Sequence, residues 1–83
     1  MVRPVPKSTA FQEVTDELAR ARAAWPAMHS IHEGYALILE ELDELWDLVK
    51  VNQNKHDRAK MRHEAMQVAA MAIRFMEDLC EEK

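Results

Sequence analysis

Ser30-Ile31-His32-Glu33-Gly34-Tyr35-Ala36-Leu37-Ile38-Leu39-Glu40-Glu41-Leu42-Asp43-Glu44-Leu45-Trp46-Asp47-Leu48-Val49 is the stretch that decides the fold. Ser30 and Glu33 have the spacing of a capping box, so a helix should start at residue 31. Apolar residues then recur at three- and four-residue intervals with no proline among them. At about 100° per residue, Tyr35, Ile38, Leu39, Leu42, Trp46 and Val49 form one stripe, bordered by Leu45. That stripe predicts the core face of a helix over residues 31–51. Glu33, Glu40, Asp43 and Asp47 lie opposite and should face water. Glu41 and Glu44 belong to neither face, sharing a flank with Gly34, Leu37 and Leu48. An unpaired charge in such a strip costs several kcal/mol, so it calls for a cation or an edge position.

Outward from this helix the chain keeps the same character. Thr9-Ala10-Phe11-Gln12 has capping-box spacing, and Phe11, Val14, Leu18, Ala21 and Trp25 recur at helical intervals. A first helix therefore runs from about residue 9 until Pro26 ends it. Val51 to Asp57 is polar and reads as a connector. A third helix is expected over about 58–81, with Met61, Ala65, Val68, Ala69, Ala72, Phe75, Met76 and Leu79 as its core stripe. Residues 1–8, containing Pro4 and Pro6, read as an extended arm. Residues 9–83 read as a single domain.

Composition agrees with an all-α chain. One glycine and three prolines in 83 residues leave little for hairpins, and strong helix formers dominate. The formal net charge of −4, from 15 acidic and 11 basic residues, argues against duplex nucleic acid as a partner. It also argues against docking on an anionic membrane. No apolar run reaches the length of a bilayer span, and Met1 to Lys7 lacks the apolar core of a signal peptide. Cys80, the one cysteine, has no partner for an internal disulfide and reads as a small core or rim residue, which fits the cytoplasm. A domain this small has a thin core, and oligomerisation is the usual remedy. The expected assembly is a three-helix antiparallel unit that completes a four-helix-bundle-type core as a symmetric homodimer or homotetramer.

The third helix repeats the flank of the second. Glu64, Gln67, Met71, Arg74 and Asp78 share one side, and Glu64 and Gln67 have the same spacing as Glu41 and Glu44. If the two helices pack antiparallel, three carboxylates and an amide oxygen converge. Such a hard-oxygen set suits magnesium or manganese. Glutamates three apart on a helix are equally compatible with plain surface charge.

Glu40-Glu41-Leu42-Asp43-Glu44-Leu45-Trp46 followed by Glu64-Ala65-Met66-Gln67-Val68-Ala69 resembles the MazG-like all-α nucleoside triphosphate pyrophosphohydrolases, which carry E-E-x-x-E on one helix and E-x-x-D on the next. His32-Glu33-Gly34-Tyr35-Ala36 and Gln67 to Phe75 are similar to small phage and bacterial members, and the resemblance covers roughly residues 10–80. It implies Mg2+- or Mn2+-dependent hydrolysis of a nucleoside triphosphate to monophosphate and pyrophosphate, in dimers or dimers of dimers. Glu41, Glu44 and Glu64 would be the metal ligands, joined by Gln67. Glu40 or Glu41 would take the proton of the attacking water. Gln67 stands where the family has aspartate, so the set carries three negative charges rather than four. That leaves a second reading, a catalytically impaired helical module that binds a nucleotide or a protein partner.

Arg74, on the flank of Gln67, is the best single candidate for a substrate phosphate; it would otherwise pair with Glu77, Asp78 or a second subunit. Lys60, among the basic residues around the connector, is a second candidate. Trp25, His29 and His32 are candidates to line a base pocket, with a core position the plainer role for Trp25.

Overall fold

The computed structural model describes residues 9–81, and among these there are helices and no strand. The extended arm expected over residues 1–8 lies outside them. The first helix, α1, covers Thr9–Ala24, the second, α2, Ile31–Val49, and the third, α3, Arg58–Phe75. A short 3₁₀ turn at Gln53–Lys55 occupies the connector, and a π-helical turn at Met76–Cys80 carries α3 on to residue 80. No helix among the described residues is long and apolar enough to cross a membrane.

The starts of α2 and α3 have local causes. The Ser30 hydroxyl accepts the N–H of Glu33 at 3.0 Å, and Glu33 Oε1 accepts the N–H of His29 at 3.0 Å. The reciprocal bond of the capping box thus lands one residue earlier than the motif predicts. Asp57, read from the sequence only as connector, caps α3 by accepting the N–H of Lys60 at 3.1 Å. At α1 the expected box is not formed as drawn. Thr9 is already helical, and its hydroxyl accepts from Arg62 Nη2 at 3.0 Å. The second helix stops two residues short of the predicted end, with the N–H of Lys50 closing on the Trp46 carbonyl at 2.9 Å.

The chain runs up, down and up. Gly34, near the start of α2, lies against Phe75 and Leu79 at the far end of α3, so these helices are antiparallel. In contrast, α1 runs alongside α3 in the same direction. Arg62 reaches Glu13 near the start of α1, and Arg22 near its end reaches Glu77 and Asp78. The core is small: Ala21, Met28 and Met71, with Leu37, Ile38, Phe75 and Leu79 packed around them. No large side chain among the described residues is fully buried.

The structure corrects the predicted core stripes. On α2 only Ile38 of the predicted stripe joins the core, whereas Tyr35 is 62% and Trp46 57% exposed and Leu39, Leu42 and Val49 also face outward. The inward positions are Gly34, Leu37, Ile38, Glu41, Leu45 and Leu48. On α3 the buried residues are Ala70, Met71 and Arg74, whereas Met76 is exposed. In α1, Phe11 and Trp25 are exposed and Glu17 is buried. Cys80 lies at the rim, exposed. The physical reason is one of coverage. Three helices offer too little surface to cover every apolar arc, so the sides that meet each other win and the most apolar arc of α2 is left outside.

The α2–α3 contact tolerates no side chain at its tightest point. A Cβ on Gly34 would stand 2.6 Å from Phe75 Cδ2 and 2.7 Å from Leu79 Cδ1. Gly34→Val should therefore destabilise the fold by about 1–3 kcal/mol, the usual range for overpacking. Its small gain in helix propensity is not enough to offset that. Urea unfolding followed by circular dichroism measures the difference; an unchanged midpoint would show that the helices do not pack here.

Candidate metal centre

The strips that hold Glu41 and Glu44 on α2 and Glu64 on α3 do face each other. One carboxylate oxygen from each of the three lies within 4.8 Å of the others. Glu41 and Glu64 are half-buried and Glu44 is exposed, so the cluster sits at the mouth of the interhelical groove. One oxygen of Glu64, Oε2, is shut off from solvent and has no hydrogen-bond partner. Among the described residues no basic side chain forms an ion pair with any of the three.

Their titration reflects this crowding. Burial pushes the Glu41 carboxyl up to about 7, helped by a hydrogen bond to Glu44 and by the charges of Glu44, Glu64 and Glu40. Glu64 is raised too, first by burial and then by Glu44, with His63 acting in the opposite sense. At 4.8 Å two carboxylates repel by roughly 3 kcal/mol at an effective dielectric of about 20. Crowding and burial thus favour a proton on Glu41, which a cation among the three would oppose.

The cluster forms one wall of a cavity of about 600 Å³, set in the wedge between α1 and α2 above α3. Glu40, Gln67, Arg74 and Trp25 line the same space, with Trp25 on its exposed rim rather than in the core. His29 lines it as well. Lys60 and His32 are not among the lining residues. Arg74 is 4% exposed and pairs with neither Glu77 nor Asp78, which Arg22 engages instead. Its Nη2 donates to the Pro26 carbonyl at 2.9 Å and its Nη1 to Met71 Sδ at 3.7 Å, while Nε, also buried, has no partner.

Two lining residues escaped the sequence reading. Glu17, buried on α1 and paired with Arg20, stands three after Val14 and four before Ala21, so helical spacing puts it on the apolar face and could have found it. His63 is adjacent to Glu64 and carries no spacing signal of its own. Comparison with family models, with curated proteins and with solved structures finds no match for this chain.

The raised Glu41 carboxyl has a signed consequence for stability. The folded state retains a proton that the unfolded chain loses near 4.5. The stability this contributes is fully present below 4.5 and is lost as pH rises through about 7. In the presence of a chelator, Glu41→Gln should match the wild type at pH 4.5 and become progressively more stable than it by pH 7.5. Paired urea titrations across this range measure the difference; a gap that does not widen with pH counts against the crowded carboxylates.

Proposed function

We propose that this chain is a divalent-metal-dependent nucleoside triphosphate pyrophosphohydrolase that works as a symmetric homo-oligomer. The observation that carries the reading is the convergence of Glu41, Glu44 and Glu64 within 4.8 Å, with one buried oxygen unpartnered, at the wall of a cavity that also holds a buried arginine. The resemblance of Glu40–Trp46 and Glu64–Ala69 to MazG-like enzymes points to the same chemistry.

The residues fit a hard cation. Carboxylate oxygens are the preferred donors of magnesium and manganese, and among the described residues they have no competing basic partner. Glu41, Glu44 and Glu64 would hold the ion, with the Gln67 amide oxygen beside them. When bound, such an ion neutralises phosphate oxygens and makes a water molecule more acidic. Glu40 lines the cavity outside the close triad, next to Glu41 in sequence, and is a candidate to accept a proton from attacking water. Arg74 presents a cationic group to the phosphate chain at the inner wall, and the exposed face of Trp25 offers a surface for the base.

Self-association has its own support. The radius of gyration is 15.1 Å, against about 12 Å for a compact chain of this length. Ile31, Tyr35, Leu39, Leu42, Trp46 and Val49 leave a continuous apolar stripe open along α2. Pairing two such stripes about a two-fold axis would bring α2 and α3 of each copy into a four-helix bundle and supply the missing core. Gln67 favours the second reading, a nucleotide- or protein-binding module with impaired catalysis, because the amide brings no charge to the set.

The test is release of pyrophosphate from a panel of nucleoside triphosphates with magnesium or manganese. Glu41→Gln should lower kcat/KM by about 100-fold or more, the scale of losing a positioned acid–base or charged group. Gln67→Asp should tighten Mn2+ binding by restoring a fourth charge. No turnover of any triphosphate by the wild type, with nucleotide still protecting it from thermal unfolding, would leave the binding module standing instead. In sedimentation, Leu42→Glu should convert the oligomer to a folded monomer; a wild-type chain that is already monomeric at micromolar concentration rejects the bundle.

A further inference from the structure

Arg74 is an unusual group to bury. A guanidinium that is 4% exposed, with no carboxylate in ion-pair range among the described residues and with Nε unpartnered, carries a large desolvation cost. Its one strong anchor is the Pro26 carbonyl, at 2.9 Å from Nη2. That carbonyl belongs to the 25–30 link between α1 and α2, so something must hold the link in place. One turn beyond Arg74, Asp78 does so: its Oδ2 accepts the N–H of Met28 at 3.0 Å, and its Oδ1 accepts from Arg22 Nη1 at 3.1 Å. The Asp78 side chain is 5% exposed and does not line the cavity. Arg74 and Asp78 thus grip the same three-residue segment with opposite polarity, the cation on Pro26 C=O and the anion on Met28 N–H.

We propose that Asp78 is the positioning residue of an anion pocket at Arg74: by fixing Met28 it fixes the Pro26 carbonyl, which orients the guanidinium at the cavity wall, where a phosphate oxygen would meet it. This rests on the reading of the cavity as a polyphosphate site, and adds the residue that sets its cationic pole. The mechanism is steric and local. A guanidinium held by its Nη2 cannot swing away without breaking that bond, and the link cannot move without releasing Met28 from Asp78. The contact with Met28 is the part that acts on the link; Arg22, itself partly exposed, pairs with the other oxygen of Asp78.

The experiment follows the Arg74 Nε–H signal by nitrogen-15 NMR and titrates the full chain first with Mg2+ alone and then with magnesium pyrophosphate. In the wild type the signal should be protected from exchange and should shift with pyrophosphate. Asp78→Ala should abolish the protection and weaken pyrophosphate binding about tenfold, as should Arg74→Lys. Asp78→Asn keeps an acceptor for Met28, and Arg22→Met removes only the pair with Arg22, so both should stay within about threefold of wild type. If Asp78→Ala does not fold, Asp78→Glu, which displaces the acceptor by one methylene, takes its place with the same expected loss. The proposal is overturned if the folded Asp78 variant protects Nε–H and binds pyrophosphate as the wild type does, or if Arg22→Met loses as much as Asp78→Ala. Absence of any response to Mg2+ alone defeats the metal reading separately, and the protection of Nε–H still decides the role of Asp78.

Discussion

Three carboxylates from two helices held within 4.8 Å set the terms for everything around them. With all three ionised, each pair would repel by roughly 3 kcal/mol at an effective dielectric of about 20, a large fraction of the stability of a small domain. The helices nevertheless meet there, because the other end of the same contact is apolar and close. Gly34 admits Phe75 and Leu79 almost to its backbone, and Met71, Leu37 and Ile38 fill the middle. One interface therefore has a cohesive end and a repulsive end. A structure built that way is held together at the first and is responsive, to protons or to a cation, at the second.

That division makes sense of the thin core. If the interior of the α2–α3 contact is given over to Glu41, Glu64, Gln67 and Arg74, few positions remain for apolar filling. The buried hydrophobics among the described residues are indeed small or flexible: Ala21, Met28, Ala70 and Met71. The large apolar side chains, Tyr35, Trp46 and Leu42, are on the outer arc of α2. On the proposed reading the two facts are one design: the polar site occupies the inside of a single chain, and cohesion is moved to the surface where a second copy meets it.

Much of this was legible in the residue spacing. Glutamates and their polar partners at three-residue intervals, on the flank of an apolar stripe in two successive helices, can point into only one groove if the helices are antiparallel. The Ser30 cap was legible for the same reason, since its chemistry is local. Which arc of α2 faces inward was not legible. Amphipathicity records what must leave water, whether a neighbouring helix or another molecule covers it, and here Tyr35, Leu42 and Trp46 are left for the latter. Asp57 was missed although an aspartate just before an apolar-periodic run is an ordinary N-cap signal. The partner of Arg74 was beyond reach in kind. A backbone carbonyl in a link, such as that of Pro26, leaves no trace in side-chain pattern.

Gln67 changes the electrostatics of the cavity in a way that can be followed through. With aspartate at that position the cluster would set four carboxylates against the one buried cation of Arg74, so that one divalent ion would leave it one charge negative and a second one charge positive. With glutamine, the three remaining carboxylates are balanced by a single divalent ion together with Arg74. A second ion would then leave the wall positive, and its binding would depend on negative charge arriving with the ligand. On the proposed reading, the site would rest with one cation and take up any other only in company with a polyphosphate. On that reading, Gln67 would make occupancy of a second position conditional on the substrate.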